Sequence, residues 1–420
     1  MKIIAKHDAK IFTDNVDAKA LEQIKQLLAL EVFSQCKIRI MPDVHAGAGC
    51  VIGFTGDLGD KVIPNIVGVD IGCGIHVQPI MPKKKIDFHA FNEYIKKAIP
   101  FGRDHRDENY MPLPAQYMDA YREAKELVRE LYCYRQLKQA KRIDKSIGSL
   151  GGGNHFIELD CDTNNNLYLV VHTGSRNLGK QVAEIYQSLA IKNLSGWEEV
   201  MEEQQRIIDE YKKQGRRNEI QEAIRQLHNS FKMKKPTIPH ELSYLEGHCR
   251  DEYLHDMRLC QHWARINRKL INDLLMDFLI SEGYVDRADQ SPFESVHNYI
   301  SDDNIIRKGA ISAQAGERCI IPINMRDGSL ICIGKGNDDW NCSAPHGAGR
   351  VMSRAQAFRT IDLKDFRMSM KGIYSETISE ETKDESPMVY KPMEEIVVNI
   401  KETVSVENII RPIFNFKAAE

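Results

Sequence analysis

Apolar and polar positions alternate over short stretches in the first ~180 residues, and glycines and prolines separate these stretches. The segments "CKIRIMPDVHAGAGCVIGFTG" (36–56) and "NLYLVVHTGSRNLG" (166–179) show the pattern. A period near two, interrupted by turn residues, is typical of strands joined by loops. The stretch "AYREAKELVRELYCYRQLKQAKR" (120–142) instead has helical spacing. It predicts a single amphipathic helix within an otherwise strand-rich region.

The middle of the chain has a different periodicity. Apolar positions recur at helical spacing over residues ~181–285, which predicts a mainly helical region. Residues ~195–236 within it carry so much alternating charge that the outer face must be solvated, and they predict a helical hairpin inserted into the body. Strands and glycine turns return from "SVHNYI" (295–300) onward. Residues 393–420 predict a short helix followed by a β-rich tail.

The pattern of short strands and glycine turns is similar before and after the helical region, and this similarity predicts the overall architecture. No internal repeat and no linker rich in proline, glycine or serine divides the chain. The sequence therefore predicts an α+β fold, in which a single domain spans residues 1–420. Mixed β-sheets with surrounding helices would form its body.

Composition restricts the setting of the protein. The formal net charge is -3 and 28% of residues are charged, which excludes a broadly basic nucleic-acid binder. A polyanionic partner would have to meet a local basic patch. No apolar run approaches the ~20 residues of a membrane span, and the apolar run in "MKIIAKHDAKIFTD" (1–14) is too short for a secretory signal. These features predict a cytoplasmic protein without a membrane partner. The scattered cysteines predict reduced thiols.

Six short segments, most of them glycine-containing turns, carry side chains suited to metal binding or acid–base chemistry. These segments are "MPDVHAGAG" with Asp43 and His45, "VGVDIGCG" with Asp70 and Cys73, "GGGNHFIEL" with Asn154, His155 and Glu158, "HTGSR" with His172, "ESVHNY" with His297, and "SAPHGAGR" with His346. Any one of these residues is more often a turn or core residue than a ligand, and a lone buried cysteine is usually a small hydrophobe. Together they supply nitrogen, oxygen and sulfur donors for transition metals, beside glycine backbone that can approach phosphate. The set predicts a metal site that faces a phosphate.

These motifs, with "KGAISAQAG" (308–316) and "HGAGRVMSR" (346–354), follow the order found in the RtcB family of RNA ligases. The chain resembles that family over nearly its whole length. The resemblance implies a GTP- and manganese-dependent RNA ligase that acts in tRNA splicing or RNA repair. Such an enzyme joins ends carrying a 3′-phosphate or 2′,3′-cyclic phosphate to ends carrying a 5′-hydroxyl.

The resemblance also implies roles for individual residues. Asp70, Cys73 and His155 would hold one manganese ion, and Cys73, His172 and His297 a second. A thiolate shared by two ions would explain why Cys73 has no partner in a CxxC spacing. His346 matches the histidine that becomes covalently linked to GMP. Guanylate would then pass to the RNA 3′-phosphate, the 5′-hydroxyl would attack, and GMP would leave.

The remaining carried-over residues fall into two groups. The resemblance implies nucleotide contacts from Asn154, His155, Phe156, Glu158, His297, Asn324, Ser329, His346, Gly347, Ala348, Gly349, Tyr390 and Lys417. It implies RNA contacts from Asp43, His45, Arg176, Arg350 and Arg354. For each arginine the alternative is a surface ion pair. We expect the protein to be a monomer.

The sequence departs from the family pattern in the segment "PINMRDGSL" (322–330). Asn324 replaces a serine and Arg326 replaces a glycine, so we expect a weakened preference for guanine. Lys417, usually almost the last residue, is followed here by "AAE". The donor types alone favour zinc, and manganese enters only through the resemblance. The alternative functions are a metal-dependent phosphatase or cyclic phosphodiesterase, and an RNA-end-binding protein without ligase activity.

Overall fold

A computed structural model of the protein describes residues 2–4, 8–231, 238–287 and 291–418. The helices and strands in these ranges confirm the predicted α+β class. The α-helices are α1 (Ala18–Leu28), α2 (Pro64–Val67), α3 (Phe88–Ala98), α4 (Met118–Arg129), α5 (Ala140–Asp144), α6 (Arg176–Leu194), α7 (Trp197–Lys213), α8 (Ile220–Ser230), α9 (Gly247–Ser281), α10 (Arg354–Thr360), α11 (Leu363–Ser369) and α12 (Met393–Asn399). The strands are β1 (Lys2–Ile4), β2 (Ala9–Ile11), β3 (Ile38–His45), β4 (Ile52–Gly56), β5 (Lys61–Val62), β6 (Gly74–Pro82), β7 (Phe156–Cys161), β8 (Leu167–Thr173), β9 (Leu245–Glu246), β10 (Val285–Arg287), β11 (Phe293–Val296), β12 (Tyr299–Ile300), β13 (Ile306–Lys308), β14 (Ala310–Ser312), β15 (Arg318–Asn324), β16 (Gly328–Gly334), β17 (Ser343–Pro345) and β18 (Val404–Lys417).

Two large sheets organise these elements. The first has the order β1-β2-β3-β4-β13-β12, in which β2 and β3 pair in parallel and the other neighbours pair antiparallel. The second is antiparallel with the order β10-β6-β8-β7-β18-β16-β15, and β11 also pairs with β6. β14 pairs with β17, and β5 with β9, in two small ribbons. The second sheet therefore brings together strands that are far apart in the sequence.

The second sheet is covered on both faces in its centre, so β7, β8 and β16 are almost continuously buried. Successive side chains of a strand point to opposite faces. Ile157 and Leu159 of β7 accordingly pack in the main core with Trp263 and Leu274 of α9, whereas Phe156 packs in a separate cluster on the opposite face. The 35-residue helix α9 thus packs against one face of the sheet.

The helical middle and the C-terminal tail match the sequence-based expectations. Helices α6 to α9 confirm the helical region over ~181–285, and α12 followed by β18 confirms the helix and β-rich tail. Residues 419–420 lie outside the described residues. Among the helices in the described ranges, none is both long enough and apolar enough to cross a bilayer.

The single helix predicted over 120–142 is wrong in extent. α4 ends at Arg129, a 3₁₀ turn follows at Tyr134–Gln136, and the short helix α5 begins at Ala140. The backbone N–H groups of Tyr132 and Cys133 donate to the buried carboxylate of Asp256 on α9, at 2.9 and 3.1 Å. This tertiary contact supplies hydrogen bonds that a continued helix would supply itself, and so ends the helix early.

The first ~180 residues also contain more helix than predicted. α1 and α3 were missed, although both begin after an N-cap aspartate. The Asp17 side chain accepts from the N–H of Ala20, and the Asp87 side chain accepts from the N–H groups of His89 and Ala90. Helices α10 and α11 likewise interrupt a region predicted as strands and turns. An aspartate before an apolar periodic stretch was the available signal.

The charged segment forms two helices, as predicted. α7 and α8 are linked by a hydrogen bond between His228 Nε2 and Gln204 Oε1 at 2.8 Å. Their partly buried side chains include Ile207, Ile224 and Leu227, whereas the charged positions are mainly exposed. Residues 232–236 of the predicted hairpin lie outside the described residues. Its status as an insertion into a single domain remains a prediction.

Candidate active site

Strand pairing brings four of the motifs to one edge of the second sheet. β6 begins directly after Cys73, and β7 directly after His155. In the register, Gly74 lies opposite Thr173 and Val296, while Phe156 lies opposite His172. Residues next to these positions must therefore approach one another in space. The sheet thus assembles Cys73, His155, His172 and His297 from four separate segments.

The five predicted metal ligands form two overlapping groups. The Cys73 Sγ lies 3.3 Å from the Nε2 atoms of both His155 and His172. His155 Nε2 lies 3.0 Å from Asp70 Oδ2, and His172 Nε2 lies 3.4 Å from His297 Nε2. Asp70, Cys73 and His155 make one group with ligand atoms close enough to hold an ion, and Cys73, His172 and His297 make another. Cys73 is the member common to both.

The hydrogen bonds of two histidine rings direct their lone pairs into this cluster. His155 Nδ1 donates to the carbonyl of Leu150 at 2.9 Å, and His172 Nδ1 donates to the carbonyl of Asn154 at 3.0 Å. A neutral imidazole that donates through Nδ1 carries its lone pair on Nε2. Metal-binding histidines are commonly oriented in this way by an outer partner. The arrangement therefore fits divalent metal ions.

Burial disfavours charge on several of these groups. It lowers the pKa values of His172 and His297 well below the usual range, so both rings are neutral. It also raises the pKa of the Cys73 thiol, and Asp70 raises this pKa further. Burial acts in the same direction on Asp70, but donation from His155 Nε2 when that atom carries a proton, together with the charge of the ring in that form, lowers the pKa of the Asp70 carboxyl to about 2. A metal ion bound at Nε2 would take the place of this proton. Neutral imidazoles and an ionised carboxylate are the forms that bind metals.

His346 lies beside this cluster and is held by a buried carboxylate. Its ring centroid is 4.9 Å from that of His297. The His346 Nδ1 lies 2.7 Å from Oδ2 of Asp43, whose side chain is fully buried in β3. Donation from Nδ1 to this carboxylate leaves the Nε2 lone pair available as a nucleophile. The other carboxylate oxygen of Asp43, Oδ1, is buried without a hydrogen-bond partner among the described residues.

Two glycines allow close approach at this site. A Cβ at Gly151 would overlap the Arg176 guanidinium, and a Cβ at Gly349 would overlap the carbonyl of Asp43. Both glycines have positive φ, at +92° and +78° respectively, where other residues are strained. Arg176 is thereby packed into the loop that carries His155, and it donates from Nη2 to the carbonyl of Gly102 at 2.9 Å. The glycines of these motifs therefore have a steric role.

The predicted nucleotide residues line an adjoining region. Phe156 and Glu158 are buried in β7, and Lys417 lies opposite Phe156 in β18 with its Nζ 5.5 Å from the ring centroid. Asn415 donates from Nδ2 to Glu158 Oε1 at 2.6 Å. Burial raises the pKa of Glu158 to about 7. The Ser329 Oγ is buried without a partner among the described residues, and so can bond to a ligand.

Glu385 organises several of these residues and was not predicted. Lys417 Nζ lies 2.7 Å from Glu385 Oε2, the Tyr390 hydroxyl donates to the same oxygen at 2.6 Å, and Arg350 Nη2 donates to Oε1 at 2.5 Å. Burial raises the pKa of Glu385. The cations of Lys417 and Arg350 lower it by more, and so hold it well below its usual range. In the sequence, "EETKDE" (380–385) has the composition of a solvated loop, so no local signal identifies it.

The predicted RNA contacts differ in their environments. Arg350 and Arg354 both face Asp384, with nitrogen–oxygen distances of 3.8 and 3.6 Å. His45 Nδ1 lies 2.9 Å from the carbonyl of Asp43, and burial lowers the pKa of this histidine. Asn154 is exposed. Gly347, Ala348 and Gly349 follow His346 and are buried. Their predicted roles as contacts remain predictions.

The atypical segment "PINMRDGSL" folds back on itself. The Asn324 Oδ1 accepts from the backbone N–H groups of Arg326 and Asp327, and its Nδ2 donates to Asp327 Oδ2 at 2.8 Å. Arg326 pairs with the Asp327 carboxylate at 2.8 and 2.9 Å and is 44% exposed. The Arg326 guanidinium is therefore paired with a carboxylate of its own turn.

Two buried residues of α9 hold the metal-site loops and were not predicted. Asn267 accepts from the N–H groups of Gly148 and Ser149 and donates to the carbonyls of Ser149 and Gly174. Arg268 donates to the carbonyls of Gly72 and Thr173, at 2.7 and 3.2 Å. Polar residues inside a helix with apolar periodicity were the only sequence signal, and such residues are common on solvated faces.

Comparison with known proteins places these observations in a family. The family model described as "tRNA-splicing ligase RtcB" matches residues 23–418. The chain is 28% identical over 405 residues to the RNA-splicing ligase RtcB of Escherichia coli strain K12, covering 90% of this chain and 88% of that protein. It is 24% identical over 449 residues to the tRNA-splicing ligase RtcB of Aeropyrum pernix, covering 90% and 86%. The similar protein of Pyrobaculum aerophilum is 22% identical over 448 residues.

Proposed function

The chain belongs to the RtcB family of RNA-splicing ligases, and from that premise we propose that it joins RNA ends through a guanylylated His346. The substrates would be an end with a 3′-phosphate or 2′,3′-cyclic phosphate and an end with a 5′-hydroxyl. GTP would be the co-substrate and two manganese ions the cofactor. We place the reaction in tRNA splicing or RNA repair, carried out by a cytoplasmic monomer.

One observation carries this proposal. A histidine held by a buried carboxylate lies directly beside two overlapping groups of metal-competent side chains. Metal-dependent phosphatases and phosphodiesterases need metal ligands, but their attacking group is water. An imidazole fixed through Nδ1 is suited to forming a bond from Nε2. The His346–Asp43 pair therefore favours nucleotidyl transfer over both the phosphatase and the RNA-end-binding alternatives.

Asp70, Cys73, His155, His172 and His297 would hold the metal ions. Bound divalent cations would position the phosphates and offset the negative charge that develops during transfer. The thiolate and imidazole donors by themselves suit zinc, and manganese is assigned here through the family.

The chain's own residues account for the first chemical step. His346 Nε2 attacks the α-phosphorus of GTP, a nitrogen–phosphorus bond forms, and pyrophosphate leaves with the bonding electron pair. The His346 ring becomes positively charged as the bond forms, and the Asp43 carboxylate stabilises that charge through Nδ1–H. Arg176, Arg350 and Arg354 would contact phosphate oxygens of the RNA ends.

The later steps transfer and release guanylate. A 3′-phosphate oxygen of the RNA attacks the same phosphorus, the bond to His346 breaks, and the neutral ring is restored. The 5′-hydroxyl then attacks the activated 3′-phosphate, loses its proton, and displaces GMP to form the phosphodiester. A 2′,3′-cyclic end must first be opened by water to a 3′-phosphate. Phe156, Glu158, Ser329, Tyr390 and Lys417 would position the nucleotide.

Joining of defined RNA ends tests the proposal directly. An RNA with a 3′-phosphate and a 5′-hydroxyl is incubated with the protein, GTP and manganese, and products are separated on a denaturing gel. We expect joined product. A matched RNA with a 3′-hydroxyl and a 5′-phosphate should remain unjoined. Release of inorganic phosphate without joining would identify a phosphatase instead.

Removing the charge that holds His346 should slow its guanylylation. Asp43→Asn keeps the size of the side chain but cannot stabilise the imidazolium form. We expect the rate of covalent labelling by GTP to fall by about 100-fold or more. Asp60→Asn, at an exposed carboxylate, is the matched control and should label as the parent does. An unchanged rate in Asp43→Asn would contradict the role assigned to Asp43.

Arg326→Gly should leave the nucleotide preference nearly unchanged. The Arg326 guanidinium pairs with Asp327, and the Asn324 side chain bonds to the same carboxylate. Replacing Arg326 by glycine therefore leaves the polar groups of Glu158 and Ser329 in place. A polar pocket rejects the wrong base by leaving its own groups unpaired, at ~1–3 kcal/mol for each group. Competition between GTP and ATP for labelling of His346 measures the preference. A tenfold change in Arg326→Gly would place the arginine in the pocket.

A further inference from the structure

A dense group of positive charges lies in the segment 135–145. The sequence "RQLKQAKRIDK" contains five lysines and arginines and a single acidic residue, in a chain whose formal net charge is -3. That acidic residue, Asp144, already lies 3.7 Å from Lys125 and 3.4 Å from Arg129. Its charge is therefore offset by residues outside the segment. The segment is locally basic, although the protein as a whole is not.

The fold leaves the basic side chains in and next to α5 exposed. Ile143 is buried and anchors the helix to the main core. Lys141, Arg142 and Lys145 are exposed around it, and Lys138 is exposed just before the helix. We define the α5 surface by five exposed residues: Arg103, Lys138, Lys141, Arg142 and Lys145. Across the ranges that the structure describes, no carboxylate forms an ion pair with any of the five.

Hydrogen bonds connect the α5 surface to the candidate active site. Arg142 Nη2 donates to the carbonyl of Arg103 at 3.1 Å, and the preceding Gly102 accepts from Arg176 at 2.9 Å. Gly102 also donates its N–H to the carbonyl of Gly151, in the loop that leads to His155. The surface is thus adjacent to the loop that positions a predicted metal ligand.

A second connection runs through α6. The backbone N–H of Lys138 donates to Gln181 Oε1 at 2.7 Å, and Gln181 Nε2 donates back to the carbonyl of Lys138 at 3.1 Å. Gln181 lies on α6, whose first residue is Arg176. The position of Lys138 relative to Arg176 is therefore fixed from both sides. The basic residues therefore have fixed backbone positions on the protein surface.

We propose that the α5 surface binds the sugar–phosphate backbone of the RNA, several nucleotides from the ends that are joined. This inference rests on the proposed function and adds a second contact region to it. Exposed lysines without carboxylate partners attract polyanions, and contacts to phosphate carry no sequence information. Binding here would therefore add affinity without sequence preference. It would also depend on the length of RNA beyond the reacting nucleotides.

Charge removal at the α5 surface tests the proposal. Binding of an RNA of about 20 nucleotides with a 3′-phosphate is followed by fluorescence anisotropy over a range of salt concentrations. The test variant is Lys138→Gln/Lys141→Gln/Lys145→Gln. The matched control is Lys212→Gln/Lys213→Gln/Arg217→Gln, which removes the same charge from exposed positions around the turn between α7 and α8.

The expected result is specific to the α5 surface. Each phosphate contact on a single strand contributes about 0.7 to the slope of log K against log salt, so the test variant should lose about 2 from that slope. Its affinity at ~0.1 M salt should be weaker by about 10- to 100-fold, and the control should bind as the parent does. An RNA of about four nucleotides should show little difference between the variants.

Two outcomes would overturn the proposal. The α5 surface is excluded if the test variant keeps the parent's affinity and salt slope. It is also excluded if the control loses as much affinity as the test variant, because the contact would then depend only on net charge. Labelling of the parent at His346 by GTP, which needs no RNA, is measured separately. Failure of that labelling would count against the proposed function, whereas normal labelling with an unaltered test variant counts against this inference alone.

Discussion

His346→Ala is expected to abolish covalent labelling of the protein by α-labelled GTP, a loss of at least about 1,000-fold. The substitution removes the Nε2 atom that would attack the α-phosphorus, and among the described residues no other side chain bonds to the Asp43 carboxylate. The label on the parent should be acid-labile and alkali-stable, as expected of a phosphoramidate. Ligation should be lost together with the label.

His45→Ala provides the informative comparison for this result. His45 is the other histidine near Asp43, but its Nδ1 faces the backbone carbonyl of that residue and not the carboxylate. We expect His45→Ala to retain the label. A label that persists in His346→Ala and disappears in His45→Ala would transfer the covalent role to His45. Mapping the labelled peptide distinguishes the two cases without reference to rates.

The second large effect concerns the shared thiol. Cys73→Ala should lose both metal ions, because the Cys73 Sγ belongs to both donor groups. His297→Ala should lose mainly the ion held by Cys73, His172 and His297. Elemental analysis after dialysis should therefore find about two ions per chain in the parent, about one in His297→Ala and almost none in Cys73→Ala.

Cys133→Ala is the matched control for the metal measurement. Cys133 is also a buried cysteine. Its backbone N–H donates to Asp256, which is not one of the predicted metal ligands. This variant should keep the metal content of the parent. Equal metal content in Cys73→Ala and the parent would refute the sharing of Cys73. The same analysis identifies the metal, and so tests manganese against the zinc that the donor types suit.

The grouping of the metal-competent residues was implied by the family resemblance, and the sheet explains it physically. Cys73, His155 and His297 adjoin the ends of strands, and His172 lies near the end of β8. Residues at the ends of paired strands are brought together by the register, as with Phe156 opposite His172. The α+β class and the helical middle followed from periodicity for a similar reason. Periodicity reports which face of an element is buried, and that information is local to the element.

The features that could not be foreseen depend on contacts between distant segments. The early end of α4 depends on Asp256, which lies more than 100 positions further along the chain. Glu385 becomes buried only because Lys417 and Arg350 surround it, and Asn267 faces the loops rather than solvent only because α9 lies beneath the sheet. Identical residues in other surroundings would be exposed. A single sequence does not contain this information in local form.

The position of β18 in the second sheet determines the order in which the molecule can be completed. β18 lies between β7 and β16, so the strand that carries Lys417 joins the hairpin of β15 and β16 to strands β6, β7 and β8, which come much earlier in the chain. Until it pairs, β7 and β16 each present an open edge, and open edges invite pairing with other chains. Contacts over such long sequence separations form slowly. During synthesis, all segments with predicted metal ligands are therefore made before β18, which completes the predicted nucleotide pocket. The chain would be most prone to aggregation in that interval.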